Sequence, residues 1–328
     1  MMKNRLPLLV VILLACCAIV HADPVPFGAA SAFNLVALGH GSTVGNIGTT
    51  ADVEGRMAAT NLITQATTIG SVLGSDPYGA LAGGYAVVAG AGISSGGYFN
   101  INGGGNVYAP SNDAGYNWNE NPRGTLVTAG PSPLNFAGLA TTLDALSLQL
   151  GGLASNGVVG APTPPSGNPS WLVLSGTSNT LNVFTLTAAE FADANHPLDI
   201  QVPAGSTVIV NVLGASDTLG TGIYVNGVQE SDTNDDGNRI LFNFAQASTV
   251  TIDGQFDGAL LAPFAMLTGG SQMGGTFIAA EIGETGEVHY DAFEGALPAT
   301  TETPEPGTLV LLGTGFLVVA VLRSRLRV

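Results

Sequence analysis

Arg239-Ile240-Leu241-Phe242-Asn243-Phe244, Gly258-Ala259-Leu260-Leu261-Ala262-Pro263 and Gly274-Gly275-Thr276-Phe277-Ile278-Ala279 decide how this chain folds. Each is a brief apolar run bounded by Gly, Asn or Pro, which is the length and punctuation of a strand rather than a helix. The same unit recurs outward from them. Upstream it reads at residues 171–174, 181–186, 198–202, 207–212 and 223–225, and between the quoted runs at 249–252. Nearer the N-terminus it reads at 33–38, 53–58, 85–88, 107–109 and 126–129. Gly83-Gly84, Gly96-Gly97 and Gly103 to Gly105 supply positive φ for tight corners, so the chain is a sandwich, a barrel or a solenoid. No strict sequence period chooses among the three.

One stretch departs from the pattern. Leu139, Leu143, Leu146, Leu150 and Leu153 recur at steps of four and three, which sets five leucines on one stripe of a helix over residues 133–150. Ser132 and Pro133 suit its N-cap and first turn, and Gly151-Gly152 breaks it. A helix this short is marginal alone in water, so its leucines must lie against the sheet. A Pro-rich link, residues 161–169, follows.

Composition narrows the function. Gly is 46 of 328 residues and charged residues are only 10%, which excludes a charged coiled coil, while 45% hydrophobic content excludes a disordered chain. All 24 acids fall between Asp23 and Glu305, where Arg56, Arg123 and Arg239 are the only bases, so this span carries 3 − 24 = −21. Phosphate binding needs a dense array of Lys and Arg, so nucleic acid is excluded as a partner. Divalent cations and neutral sugars stay open.

The two ends read as targeting segments. Lys3 and Arg5, the apolar run 8–20 and the small-residue site at Val20-His21-Ala22 make residues 1–22 a secretory signal peptide. Both cysteines, Cys16 and Cys17, lie in it, so the mature chain must hold together without disulfides. At the other end Pro304-Glu305-Pro306 precedes an apolar run at 309–322 and then Arg323, Arg325 and Arg327. The run is short for a span, which needs about 20 residues, and the arginines fix its cytoplasmic end. Tripeptide, apolar run and Arg tail together resemble the PEP-CTERM sorting signal. The resemblance implies recognition by an exosortase in a Gram-negative bacterium, an inner-membrane intermediate, and release to the cell surface or extracellular matrix.

A second resemblance spans residues 27–298. The three quoted runs, then Glu287-Val288-His289 and Phe293-Glu294-Gly295-Ala296-Leu297-Pro298, stand in the order seen in the choice-of-anchor A family. Phe33-Asn34, Asp52-Val53-Glu54-Gly55-Arg56 and the Leu-rich helix also fit. That resemblance implies a mainly β domain at residues 23–298, a right-handed β-solenoid like ice-binding-like adhesive domains with one helix packed along it. A sorting segment follows at 299–328. It implies an adhesive or matrix role with surface glycans or exopolysaccharide as partners, and it brings no catalytic residues.

The candidate sites are few. Asp232-x-Asn234-x-Asp236-Gly237 has the spacing of the first half of a calcium loop, but position twelve is Asn243 rather than a bidentate Glu. A bound Ca²⁺ and a solvated Asx-rich turn both stay open, and no other cofactor is expected. Glu287, His289 and Asp291 alternate and would share one face, as a metal trio or as structural hydrogen-bonding groups. His40 and His196 read as surface residues, while Arg56 and Arg239 read as partners in buried ion pairs. With no catalytic constellation recognisable along the sequence, the chain reads as a non-enzyme, although its many acids keep paired carboxylates open. A polysaccharide lyase or hydrolase and an ice-binding protein are the alternatives. Ice binding needs a regular Thr ladder, and Thr185-Leu186-Thr187 and Thr249-Val250-Thr251 look like isolated pairs.

Overall fold

The computed structural model describes residues 25–65, 68–94, 97–119, 123–160, 171–191, 197–219, 222–230 and 235–299. The signal peptide, the Pro-rich link, the 304–306 tripeptide, the 309–322 run and the Arg tail lie outside the described residues. The chain divides into two units, Met1–Leu297 and Pro298–Val328, and among the described residues every strand and helix belongs to the first. None of those helices is long and apolar enough to cross a membrane.

The unit is mainly β, built from three columns of parallel strands in one large sheet and from a second sheet of five strands. The five are Val158–Gly160, Leu172–Ser175, Leu198–Gln201, Ile223–Val225 and Val228–Gln229, and their two outer pairings are antiparallel. In the first column, Leu181–Thr187 pairs with Thr207–Leu213, then Ile240–Asn243, then the starts of the long strands Ala259–Gly274 and Phe277–His289. The column continues through Leu35–Ala37, Met57–Ala59, Tyr85–Ala89, Asn106–Tyr108 and Leu126–Val127. Side chains alternate across it, yet both sides are buried. Phe242, Leu260, Phe277, Leu35 and Met57 face an inner core, whereas Leu241, Leu261, Ile278, Val36 and Ala58 face a second one. A strand buried on both sides must be apolar throughout, which is why these stretches read as unbroken hydrophobic runs.

The helix α1, Phe136–Gly151, supplies the second core. Leu143, Leu146 and Leu150 are at most 3% exposed and pack on Ile209, Leu241 and Leu261, with Leu139 and Leu153 partly buried beside them. Each fully buried Leu contributes about 1.5–3 kcal/mol by leaving water. The N-cap is Asn135, whose Oδ1 accepts from Gly138 N at 3.1 Å, and not Ser132. Ser132 Oγ instead accepts from Leu134 N at 3.2 Å, closing a turn three residues ahead of the N-cap. A buried polar ladder then fixes the helix position along the sheet. Ser147 Oγ donates to Asn243 Oδ1 at 2.6 Å, Asn243 Nδ2 donates to Ser147 O and Asn211 Oδ1, and Asn211 Nδ2 donates to Leu150 O.

The stacking order is not the sequence order. Leu35 pairs with Phe277, Ile47 with Ile282 and Val53 with Val288, so the first turn of chain seats on the last. Asn34 seals the joint, its Nδ2 donating to Gly275 O at 2.9 Å and His289 O at 3.1 Å. Both ends of the unit therefore meet in mid-stack.

The expected strand at 53–58 is two strands, Asp52–Val53 and Met57–Ala59. Between them Gly55 passes so close to Asn34 and Tyr290 that no Cβ fits, and the backbone turns a corner there. The runs expected at 259–262 and 276–279 extend to Gly274 and His289, each strand bending through all three columns.

Candidate functional site

The second column carries the site. Its strands are Ser216–Leu219, Thr249–Ile252, residues 266–269, residues 281–285, Ile47–Thr49, Leu62–Gln65 and Gly92–Ile93. Here the alternation is the ordinary one for a half-solvated sheet, with Val250 and Ile252 inward and Thr249 and Thr251 exposed. Register then aligns the outward residues across the strands. Ser216 stands beside Thr249, Met266 and Glu281, and Thr218 beside Thr251 and Thr268. Thr249 Oγ1 donates to Ser216 Oγ at 2.7 Å, and Thr251 and Thr268 hydroxyls stand 3.4 Å apart. So Thr249 and Thr251 are not isolated; strands distant in sequence extend them into a short hydroxyl ladder at the strand spacing of about 4.8 Å.

The ladder stops at a hollow. One residue past the Leu267, Ile282, Ile47 and Ile63 pairings come Thr268, Gly283, Gly48 and Thr64, so two glycines replace the next two hydroxyls. Neither glycine has positive φ. Space demands them: a Cβ on Gly283 would sit 2.7 Å from Thr268 Cγ2 and 3.1 Å from Met266 Cε, and one on Gly48 2.8 Å from Gly283 O. The result is an open bowl of about 620 Å³ whose rim includes Met266, Thr268, Thr64, Glu281 and Glu284. Asn46 Nδ2 donates to Glu281 Oε1 at 3.3 Å, and Asn46 Oδ1 accepts from Asn61 Nδ2 at 2.9 Å and Leu62 N at 3.2 Å, which holds Glu281 in place.

The other sequence candidates lie elsewhere. Thr187 does not join the hydroxyl ladder; with Thr185 it ends the strand Leu181–Thr187, and its N and Oγ1 both donate to Glu190 Oε2, capping the short helix α2, Ala188–Phe191. The third column runs from Gln255–Asp257 through the ends of the two long strands to Asp52–Val53, Thr68–Ile69, Tyr98–Ile101 and Gly115–Trp118. On it Glu287 and His289 do share a face, but Asp291 falls past the strand end. A residue not singled out as a site, Glu54, joins them: His289 Nδ1 is 3.6 Å from Glu54 Oε1 and its Nε2 is 4.0 Å from Glu287 Oε2. Glu54 Oε2 also accepts from Tyr290 N at 2.9 Å, so this group ties the last strand to the first turn. Asparagines continue that column, Asn117 donating to Asn100 and Asn119 to Asn102.

Asp232 and Asn234 lie outside the described residues, as does His196, and Asp236 falls in the 3-10 turn Asp235–Arg239. Among the described residues no three His, Cys, Asp or Glu side chains stand close enough to hold a metal. Asn243, counted as the twelfth position of the calcium loop, is buried under α1 in the polar ladder. His40 is exposed as expected, edge-on to Phe264 and 3.4 Å from Asp144, whose carboxyl burial pushes up against the opposing pull of His40. Arg56 pairs with Asp76 as expected, and burial draws its pKa down. Arg239 does not pair with a carboxylate among the described residues; its Nη1 reaches Gly205 O at 3.5 Å.

Residues 26–290 match the family model of an ice-binding-like adhesive domain, and residues 302–325 match that of the PEP-CTERM protein-sorting motif. No curated protein matches the chain. Among solved structures it is similar to an ice-binding protein from the Antarctic ascomycete Antarctomyces psychrotrophicus. Identity is 15%, with 82% of this chain and 98% of that one covered and a TM-score of 0.32. It is also similar to a glycosylated ice-binding protein, LeIBP, from an Arctic yeast, at 13% identity, with 84% and 96% covered and a TM-score of 0.34. Likeness at that level lends nothing to what this chain binds.

Proposed function

The chain belongs to the family of ice-binding-like adhesive domains and carries a PEP-CTERM motif, and from that premise we propose that it is a non-catalytic surface adhesin. The motif implies processing by an exosortase and export through the membrane to the surface of a Gram-negative cell. The proposal adds that the chain is of the choice-of-anchor A kind and that its parallel columns are the faces of a right-handed β-solenoid. It also adds that glycans of the surface matrix are its partners.

The observation that carries adhesion is the contrast between two columns. One is covered by α1, while the other presents Ser216, Thr218, Thr249, Thr251 and Thr268 in register to solvent beside a glycine-floored bowl. A rigid sheet with aligned hydroxyls binds at little entropic cost, because nothing need be ordered on contact. The same hydroxyls favour a second reading, binding to ice. The ladder gives it limited support, since it is interrupted at Met266, Glu281, Gly283 and Gly48.

Matrix retention tests the first reading. Thr251→Tyr with Thr268→Tyr should release the protein from the extracellular matrix into the medium, while Leu148→Tyr, on the exposed side of α1, should leave it retained. Equal retention of both variants would remove the threonine column as the contact surface.

A further inference from the structure

The bowl differs from the ladder beside it in charge and in shape, and it points to a ligand class. Two carboxylates, Glu281 and Glu284, stand on its rim, and no Lys or Arg lines it. In a span of net charge −21 a polyanionic chain would meet only repulsion there. Asn46 occupies one oxygen of Glu281 and leaves the other as an acceptor. The rest of the lining includes hydroxyls, at Thr49, Thr64 and Thr268, one thioether, at Met266, which is 39% exposed, and Ile282 beside Gly283. Carboxylate acceptors paired with hydroxyls and a small apolar patch match a sugar ring that carries both hydroxyls and an ammonium group. The volume of about 620 Å³ lies within the ~300–1,000 Å³ of small-ligand sites. Because the bowl is open to solvent, units on either side of the one it holds can continue across the surface.

Resting on the reading of this column as the contact surface, we infer that the bowl binds an amine-bearing saccharide, a glucosamine-type unit of a partly deacetylated polymer. Glu281 and Glu284 receive the ammonium group, and Thr64 and Thr268 receive ring hydroxyls. The glycines at 48 and 283 keep the floor low enough for the ring to enter. N-acetylation removes the positive charge, so the acetylated unit forfeits the charge-assisted bonds.

The full-length protein in detergent can be titrated with a glucosamine hexamer, its N-acetylated counterpart and a tri-lysine peptide. The glucosamine hexamer should bind about tenfold or more tightly than the acetylated one, the worth of one charge-assisted hydrogen bond. Glu281→Gln with Glu284→Gln, which changes charge without changing shape, should erase that preference. Glu287→Gln with Asp52→Asn, the same charge change on the third column, should leave it intact. Equal affinity for the two hexamers, an equal loss in both double variants, or tri-lysine binding as tightly as the glucosamine hexamer would each overturn the assignment. If no hexamer binds while Thr251→Tyr with Thr268→Tyr still frees the protein from the matrix, the ligand class fails and the contact surface stands. If the hexamer binds as expected and those variants are retained, the contact surface fails and the bowl stands.

Discussion

Phe27, at the start of the folded unit, and Phe293, near its end, pack with ring centroids 5.3 Å apart. Both are at most 2% exposed, and both belong to the core that α1 covers. The segment after the last strand is thus as much a part of the fold as the strands are. Tyr78 Oη donates to Phe293 O at 3.2 Å, Glu294 N to Asn238 O at 2.8 Å and Ala296 N to Thr207 Oγ1 at 2.8 Å.

The clamp on α1 can be separated from its apolar packing. Leu146→Ala should destabilise the unit by about 2–5 kcal/mol through lost burial and a cavity. Asn243→Ala should cost about 1–3 kcal/mol by stranding Asn211 and Ser147, and should raise hydrogen exchange in α1 more than in the sheet. Chemical denaturation with exchange mass spectrometry checks both. Uniform exchange changes would mean the ladder does not position the helix.

Arg56 is 8% exposed, and its partner Asp76 has a fully buried side chain that also accepts from Tyr78 N at 2.7 Å. Arg56→Met should cost about 3–5 kcal/mol, since it leaves an uncompensated buried carboxylate. Adding Asp76→Asn to it should recover much of that loss. Urea midpoints of the three proteins decide, and a double variant as unstable as Arg56→Met would refute the pairing argument.

Asp217 is 2% exposed with neither carboxylate oxygen hydrogen-bonded, and burial pushes its pKa above 3.8. In the window just above 3.8 the folded state then holds a proton that the unfolded state has lost, so stability falls as pH rises through it. At neutral pH the buried charge is a standing cost. Asp217→Asn should therefore stabilise the fold at pH 7 by about 1–3 kcal/mol, read as a higher Tm, and flatten the slope of stability against pH in the acid range. An unchanged slope would show that Asp217 is not the group responsible.

The tail should separate into two functions. Replacing Pro304-Glu305-Pro306 by alanines should leave insertion intact and accumulate unprocessed protein in the inner membrane. Changing Arg323, Arg325 and Arg327 to Glu should instead weaken retention and orientation. Fractionation and immunoblotting read both, and normal processing of the alanine variant would contradict the role of the motif.

Calcium is the remaining expectation for Asp232, Asn234 and Asp236. With an incomplete loop, affinity should be no better than the ~10⁻⁴ to 10⁻³ M of extracellular modules. Millimolar Ca²⁺ should raise Tm more than Mg²⁺ does, by an amount that Asp232→Ala with Asp236→Ala abolishes. Equal melting in Ca²⁺ and in chelator would leave the turn solvated.

Much of the first column and α1 was legible, because a strand buried on both sides and a leucine stripe leave dense local patterns. Ile240 to Asn243 and Leu143 to Leu150 read correctly for that reason. What sequence did not show was partnership. Nothing local says that Leu35 stacks on Phe277, or that Asn243 belongs under a helix rather than at the end of a calcium loop. The bowl was hidden for the same cause. Its rim residues Thr64, Thr268, Glu281 and Glu284 come from three stretches of chain, and its floor is two glycines that look like ordinary punctuation until register aligns them.

The seating of the first turn on the last sets a timetable for export. Asn34 and Gly275 are hydrogen-bonded across 241 residues of sequence, so the strand Leu35–Ala37 has an open edge until the strand Phe277–His289 arrives to fill it. Contacts of such separation form slowly, and an unfilled edge is open to pairing with other chains. A chain truncated before Phe277 should therefore self-associate rather than merely lose its tail. In the intact protein the seam can close only once the strand Phe277–His289 is present beside it.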